Sequence, residues 1–145
     1  MENNPCINWA AGFLKANGYR LKHAPKLIQS TPWSTVWRFE TGVGFIYLKK
    51  SIQEFFIETK LIHLIDQLIH DCVPKVVAVN VELNCFLMLD AGVTLRERFK
   101  HKFDAGLLIE AINKYTALQC AVSSKIDTLI EFGIPDWRLQ KFPEL

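Results

Sequence analysis

What this chain has little of narrows it before any motif is considered. No apolar run approaches membrane-spanning length, so no membrane-spanning helix is expected. No basic stretch leads into an apolar segment near the N-terminus, which argues against a signal peptide. Charge is sparse and dispersed: 22% of the 145 residues are charged and the net charge is +2. That leaves no basic tract for nucleic acid or for an anionic membrane surface. The four cysteines, Cys6, Cys72, Cys85 and Cys120, show no CxxC spacing, so neither a disulfide frame nor a zinc site is expected. Three of them lie in apolar surroundings, as buried free thiols do, which points to a reducing cytoplasm. Internal repeats and low-complexity linkers are missing too. What remains is hydrophobic: 50% of the residues, too many for disorder and enough for the core of one domain or one lobe of a larger one.

The most informative stretch runs from Phe45 to Ile69. Period-2 alternation predicts a strand with Phe45, Tyr47 and Lys49 on one face and Ile46, Leu48 and Lys50 on the other. Ser51 and Glu54 have the spacing of a capping box, which predicts a helix from there to about Ile69. Around that helix, at about 100° per residue, Phe55, Leu61, Ile62, Ile65 and Ile69 fall within roughly 60° of Glu58. A carboxylate inside an apolar stripe carries a large desolvation cost unless a cation meets it. Two readings follow from the residues alone. Glu58 either reaches water at the edge of the packed face, with Lys49 a solvated strand end, or the two side chains pair.

The rest of the chain reads in order. Asn4-Pro5 opens a helix to about Asn17, closed by Gly18, with Ile7, Ala10, Ala11, Leu14 and Phe13 on its apolar side and Trp9 at an edge. Leu21 to Ser30 is a strand weakened by Pro25, Thr31 to Ser34 a turn, and Thr35 to Glu40 a second strand. Gly42-Val43-Gly44 is the tight turn into the lysine-ended strand. After a break at Cys72-Val73-Pro74, Val76 to Val81 and Cys85 to Leu89 are strands, the latter buried on both faces. Short connections suit an antiparallel sheet. Thr94 with Glu97 opens a short helix to about Lys102. Asp104 caps a longer one with Leu108, Ile112, Tyr115, Leu118 and Val122 at helical spacing. Ile126 to Phe132 is a last helix, ended by Gly133-Ile134-Pro135. The residues from Asp136 to Leu145, with Trp137, Leu139 and Phe142, show no periodicity.

The sequence of elements, with Pro32-Trp33-Ser34-Thr35-Val36-Trp37-Arg38, Tyr47-Leu48-Lys49, Glu58, Val73-Pro74-Lys75-Val76, Leu89-Asp90-Ala91-Gly92, Thr94-Leu95-Arg96-Glu97 and Gly133-Ile134-Pro135-Asp136-Trp137-Arg138-Leu139, resembles the aminoglycoside phosphotransferase and choline kinase-like family, whose fold is protein-kinase-like. Each segment is weakly specific; their order, spanning about residue 27 onward, is more so. The resemblance implies an α+β fold: a kinase-like N-terminal lobe, with a five-stranded antiparallel sheet and one packed helix, followed by an all-helical segment. The implied division is a helical extension over 1–22, the lobe over 23–92, and the helical start of a truncated second lobe over 93–145.

It also implies roles. Lys49 resembles the lysine that holds the α- and β-phosphates of ATP or GTP, supplied with Mg2+, and Glu58 its helix partner. Backbone groups near Leu89, Asp90 and Ala91 would bond the purine edge, with Met88 lining the pocket and Tyr47 packing on the base. Ordinary core is the alternative for both side chains. The loop from Ser30 to Thr35 would cover the phosphates, yet it contains no glycine and Pro32 removes one donor. Hydroxyls of Ser34 and Thr35 are partial substitutes, and a plain hairpin turn is the better expectation.

The family's catalytic loop, H-x-D-x-x-x-x-N, is missing: His23, His63, His70 and His101 do not begin that pattern, and no Walker or Gly-x-Ser-x-Gly motif stands in for it. His63 and His70 are expected to be exposed or to cap. The expectation is therefore the nucleotide-binding half of a small-molecule phosphotransferase, acting in complete relatives on a hydroxyl of an aminoglycoside, sugar or amino alcohol. Alone it should be inactive. A non-catalytic nucleotide-binding or scaffold module is the alternative. Truncation predicts an apolar surface on the 104–122 helix, met by a second lobe or by self-association.

Overall fold

Asn4 and Pro5 begin the first helix as their chemistry suggests. In the computed structural model, which describes residues 4–136 and 138, α1 spans Pro5–Ala16. The Asn4 side chain accepts the N–H groups of Cys6 and Ile7 at 3.0 and 3.3 Å, meeting two donors that have no intrahelical partner. Gly18, at φ +81°, ends the helix by taking a left-handed conformation that costs other residues more.

The strands are β1 (Lys26–Ser30), β2 (Ser34–Thr41), β3 (Gly44–Ser51), β4 (Val76–Asn80) and β5 (Cys85–Leu89). They form one five-stranded antiparallel sheet in the order β1-β2-β3-β5-β4. The β2–β3 hairpin turns over Gly42-Val43, with Gly44 at φ +126° where a side chain would be strained. β1 is shorter than the expected Leu21 to Ser30. Pro25 precedes its first residue, and Leu21 makes only an isolated bridge to Thr41.

Register assigns the two faces. Ile46 lies opposite Phe39, and Leu48 between Trp37 and Leu87. This face packs on Cys6, Ala10 and Leu14 of α1, forming one core that also takes in Cys85. The other face carries Tyr47, Lys49 and Ser51, with fully buried Phe86 beside Lys49. Below it lies α2 (Glu58–Leu68), whose Thr59 and Ile62 are buried and which touches β4 and α4. Each large apolar side chain so enclosed stabilises the fold by about 1.5–3 kcal/mol.

The expected capping box at Ser51 and Glu54 does not form. β3 stays paired with β2 through Ser34 and Ser51, and the Ser51 N–H goes to the Asn84 carbonyl at 3.0 Å. A residue extended and buried at the end of a strand is in no position to cap. The chain instead makes one 3-10 turn at Gln53–Phe55 before α2 starts at Glu58, with no side-chain cap. Carbonyls of Phe56 and Ile57 take the first N–H groups of that helix. Phe55 therefore lies outside the helix and is more than half exposed, so the apolar stripe expected around Glu58 begins only at Leu61.

The helical segment follows the expected caps. Thr94 Oγ1 accepts the Glu97 N–H ahead of α3 (Leu95–His101), and Asp104 accepts the Leu107 N–H ahead of α4 (Ala105–Ser123). Glu97 turns to Lys100 rather than back to the cap. α5 spans Ile126–Glu131 and ends at Gly133. None of the α4 residues is fully buried, and Ile109, Ile112 and Tyr115 are 58%, 53% and 61% exposed. Cys6 and Cys85 are buried, Cys72 half-buried and Cys120 exposed, all as free thiols. Trp137, Leu139 and Phe142 lie outside the described residues.

Candidate functional site

Lys49 comes from the middle strand of the sheet, and Glu58 from the first position of α2. The strand's pleat aims Lys49 at the α2 side, and the irregular turn after Ser51 brings the helix start beneath it. Lys49 Nζ lies 2.7 Å from Glu58 Oε1 and 2.6 Å from Oε2. The two side chains are 22% and 35% exposed, so the pair is half-sheltered rather than solvated. Of the two readings of Glu58, the paired one is what the side chains adopt, although the residue opens its helix instead of sitting mid-stripe. At that position the carboxylate also faces the partial positive charge of the helix N-terminus. An ammonium group carries three donors, and a single carboxylate leaves capacity for a further acceptor.

The pair lies in the wall of a cavity of about 610 Å3, lined by Gln29, Trp33, Ser34, Ser51, Phe55 and Leu61 among others. Pockets of this size, mostly apolar with a few convergent polar groups, are typical of small-molecule sites. Trp33, 54% exposed at the tip of the β1–β2 loop, and Phe55, 55% exposed, flank it.

The other sequence-predicted site residues divide into three groups. Ser34 lines the same cavity as Lys49 and Glu58. Thr35 does not: alternation along β2 turns it to the opposite face, where it lines a second cavity with Trp37, Lys50 and Asn8 beside α1. Its hydroxyl is thus on the wrong side of the sheet to join Lys49. Tyr47 and Met88 are cross-strand partners on the lysine's face, both half-buried, one step along the sheet from it. They are outside the lining of the Lys49 cavity. Leu89 ends β5 and Asp90 and Ala91 follow it, all three exposed. The Leu89 N–H is engaged by the Lys75 carbonyl at 2.9 Å, and the Asp90 side chain accepts the Gly92 N–H at 3.0 Å.

The Ser30–Thr35 loop is a closed hairpin turn. The Thr31 N–H goes to the Ser34 carbonyl at 2.8 Å, and the Ser34 N–H goes to Thr31 Oγ1 at 3.0 Å. With two amides engaged internally and Pro32 lacking one, the loop has little backbone to offer an anion.

Sequence reasoning missed Ser51 and Trp33 as cavity residues. Ser51 was visible in principle, because it stands two residues beyond Lys49 and so shares its face. The capping-box spacing drew it into the wrong element. His63 Nδ1 contacts the Thr59 carbonyl at 2.7 Å from an otherwise exposed ring. No group of three or more His, Cys, Asp or Glu gathers among the described residues. No described helix is long and apolar enough to cross a membrane. Compared with known proteins, the chain matches no family model and no curated protein.

Proposed function

We propose that this chain is the nucleotide-binding part of a small-molecule phosphotransferase, with a protein-kinase-like N-terminal lobe that seats ATP or GTP on Lys49. The observation that carries the reading is the ion pair between a strand lysine and the first carboxylate of the packed helix, at 2.7 Å and half-sheltered. A polyphosphate requires a cation held in place. The carboxylate restrains a side chain that otherwise has about 2 kcal/mol of rotamer freedom to lose. Tyr47 and Met88, adjacent on the same face, are the side chains proposed to meet the base. The purine edge then falls to the backbone of Asp90 and Ala91, since the Leu89 amide is engaged. With no H-x-D-x-x-x-x-N segment in the sequence, positioning and base catalysis of the acceptor hydroxyl are not supplied by these residues, and turnover is not expected of the chain alone.

The test is nucleotide-dependent thermal stabilisation without Mg2+. ATP at a hundredfold above its dissociation constant adds about 2.7 kcal/mol of stability, a shift in melting temperature of roughly 5–10 °C for a chain of this size. Lys49→Ala should abolish it. No shift with ATP or GTP would instead favour a scaffold or interaction module, the reading that the exposed Ile109, Ile112 and Tyr115 of α4 support.

A further inference from the structure

We propose that Ser51, with Ser34 and Lys49, forms a seat for the terminal phosphate of a bound nucleoside triphosphate; the inference rests on the nucleotide reading and deepens it. Three residues of β3 define a line on one face of the sheet. Tyr47, Lys49 and Ser51 follow one another at alternate positions, each step about 7 Å, so the line measures roughly 13 Å from first to last. Tyr47 lies toward Met88 and the β5 end; Ser51 lies opposite Ser34, at the loop end. A nucleotide with its base at Tyr47 and its inner phosphates at Lys49 directs its outer phosphate toward Ser51.

Ser51 carries the second observation. It is 3% exposed, and its hydroxyl is closed to solvent with no hydrogen-bond partner among the described residues. An unpaired buried hydroxyl is costly, and an alanine at this place would fill the same strand position without that cost. Yet Ser51 lines the cavity that holds Lys49, Glu58 and Ser34. Serine has three staggered χ1 wells, and an acceptor in the cavity selects the one that turns Oγ toward it.

The loop chemistry points the same way. The Thr31 and Ser34 amides are engaged within the loop and Pro32 has none, so side-chain donors matter most for an outer phosphate. Ser34 Oγ lies 3.3 Å from Thr31 Oγ1 and is held at the cavity rim. Glu58 neutralises Lys49 in part, and two hydroxyls add donors there without adding charge. Half-exposed Trp33 and Phe55 line the same cavity.

The experiment is calorimetric titration of the whole chain with Mg2+-free ATP, ADP and inorganic tripolyphosphate, for the unaltered protein, Ser51→Ala, Ser51→Thr and Lys49→Ala. The unaltered protein should bind ATP about tenfold more tightly than ADP, the weight of one hydrogen bond to a charged group. Ser51→Ala should remove that preference and leave ADP affinity within about twofold, while Ser51→Thr, which keeps the hydroxyl, retains most of it. Equal loss of ATP and ADP affinity in Ser51→Ala, or an unchanged preference, overturns the seat. Should the unaltered protein bind neither nucleotide, the nucleotide reading fails on its own. Tripolyphosphate then separates the two: binding that weakens in both Ser51→Ala and Lys49→Ala keeps Ser51 and Lys49 as a phosphate seat without a nucleoside, and no binding of tripolyphosphate removes it.

Discussion

The Lys49–Glu58 pair makes a quantitative prediction that does not depend on any ligand. Exposed ion pairs contribute about 0–1 kcal/mol, whereas breaking a fully buried one costs about 3–5 kcal/mol. At 22% and 35% exposure this pair falls between, so Lys49→Met and Glu58→Gln should each destabilise by roughly 1–2 kcal/mol. The double variant should recover about 1 kcal/mol of the summed loss, because the second change removes the charge that the first left unpaired. In melting temperature each single change amounts to roughly 2–8 °C. Urea unfolding of the four proteins, followed by circular dichroism at 25 °C, measures the coupling directly. Sheltered pairs are screened less than exposed ones, so most of it should persist in about 0.5 M salt. Losses that add to within about 0.3 kcal/mol would refute the reasoning: the contact would then be geometry without energy, and a lysine held no more firmly than any surface lysine has no special claim on a phosphate.

Other outcomes follow from single residues. Ser51→Ala should leave the free protein as stable or raise its stability by up to about 1 kcal/mol, since an unsatisfied hydroxyl is removed; thermal denaturation without ligand checks this. Leu14→Ala should cost about 2–5 kcal/mol by opening a cavity between α1 and β3, read by urea unfolding; a cost below about 1 kcal/mol would mean that α1 is only an appendage. The Cys85 thiol is pushed up to about 12, from an ordinary 9.0, by burial and then by the neighbouring Cys6. A raised folded value means stability present below pH 9 and lost as pH climbs from there toward 12. Cys85→Ala should flatten that decline, and at pH 8 a thiol reagent should label exposed Cys120 well before Cys85. Ile112→Glu should move stability by less than about 0.5 kcal/mol, because the residue is 53% exposed, while abolishing any self-association seen by light scattering.

What could be read from the sequence was what local chemistry decides. Asn4-Pro5, Thr94 and Asp104 announced their helices because each offers an oxygen to amides that the helix leaves unpaired. The bounds of β5 were legible because a run of five apolar residues between a turn and an acidic break has few alternatives, although Met88 is only half-buried and Leu89 exposed rather than buried on both faces. The stretch from 51 to 58 was not legible. Ser51 and Glu54 satisfy a local rule, and the pairing of Ser51 with Ser34, seventeen residues back, overrides it. The same long-range fact decides the hydroxyls. Ser34 and Thr35 are equivalent in composition and adjacent in sequence, but only β2 register tells which of them shares a face with Lys49. The partnership of Lys49 and Glu58 was readable as one of two possibilities, and geometry chose between them.

The position of α1 then sets what the Ile46 and Leu48 face can do. An antiparallel sheet commonly leaves one face wet. Here Cys6, Ala10 and Leu14 cover the Ile46 and Leu48 face with a packed core, and substitutions there should register as stability alone. The opposite face is closed by α2 only in part, because that helix starts late, at Glu58, instead of continuing from Ser51. The six residues between strand and helix, with their single 3-10 turn, border the space that Lys49, Ser51 and Ser34 line. Had the capping box formed, helix backbone would follow the strand directly and the cavity would have no floor of this shape. The failure of one local rule and the existence of the candidate site are therefore the same structural event.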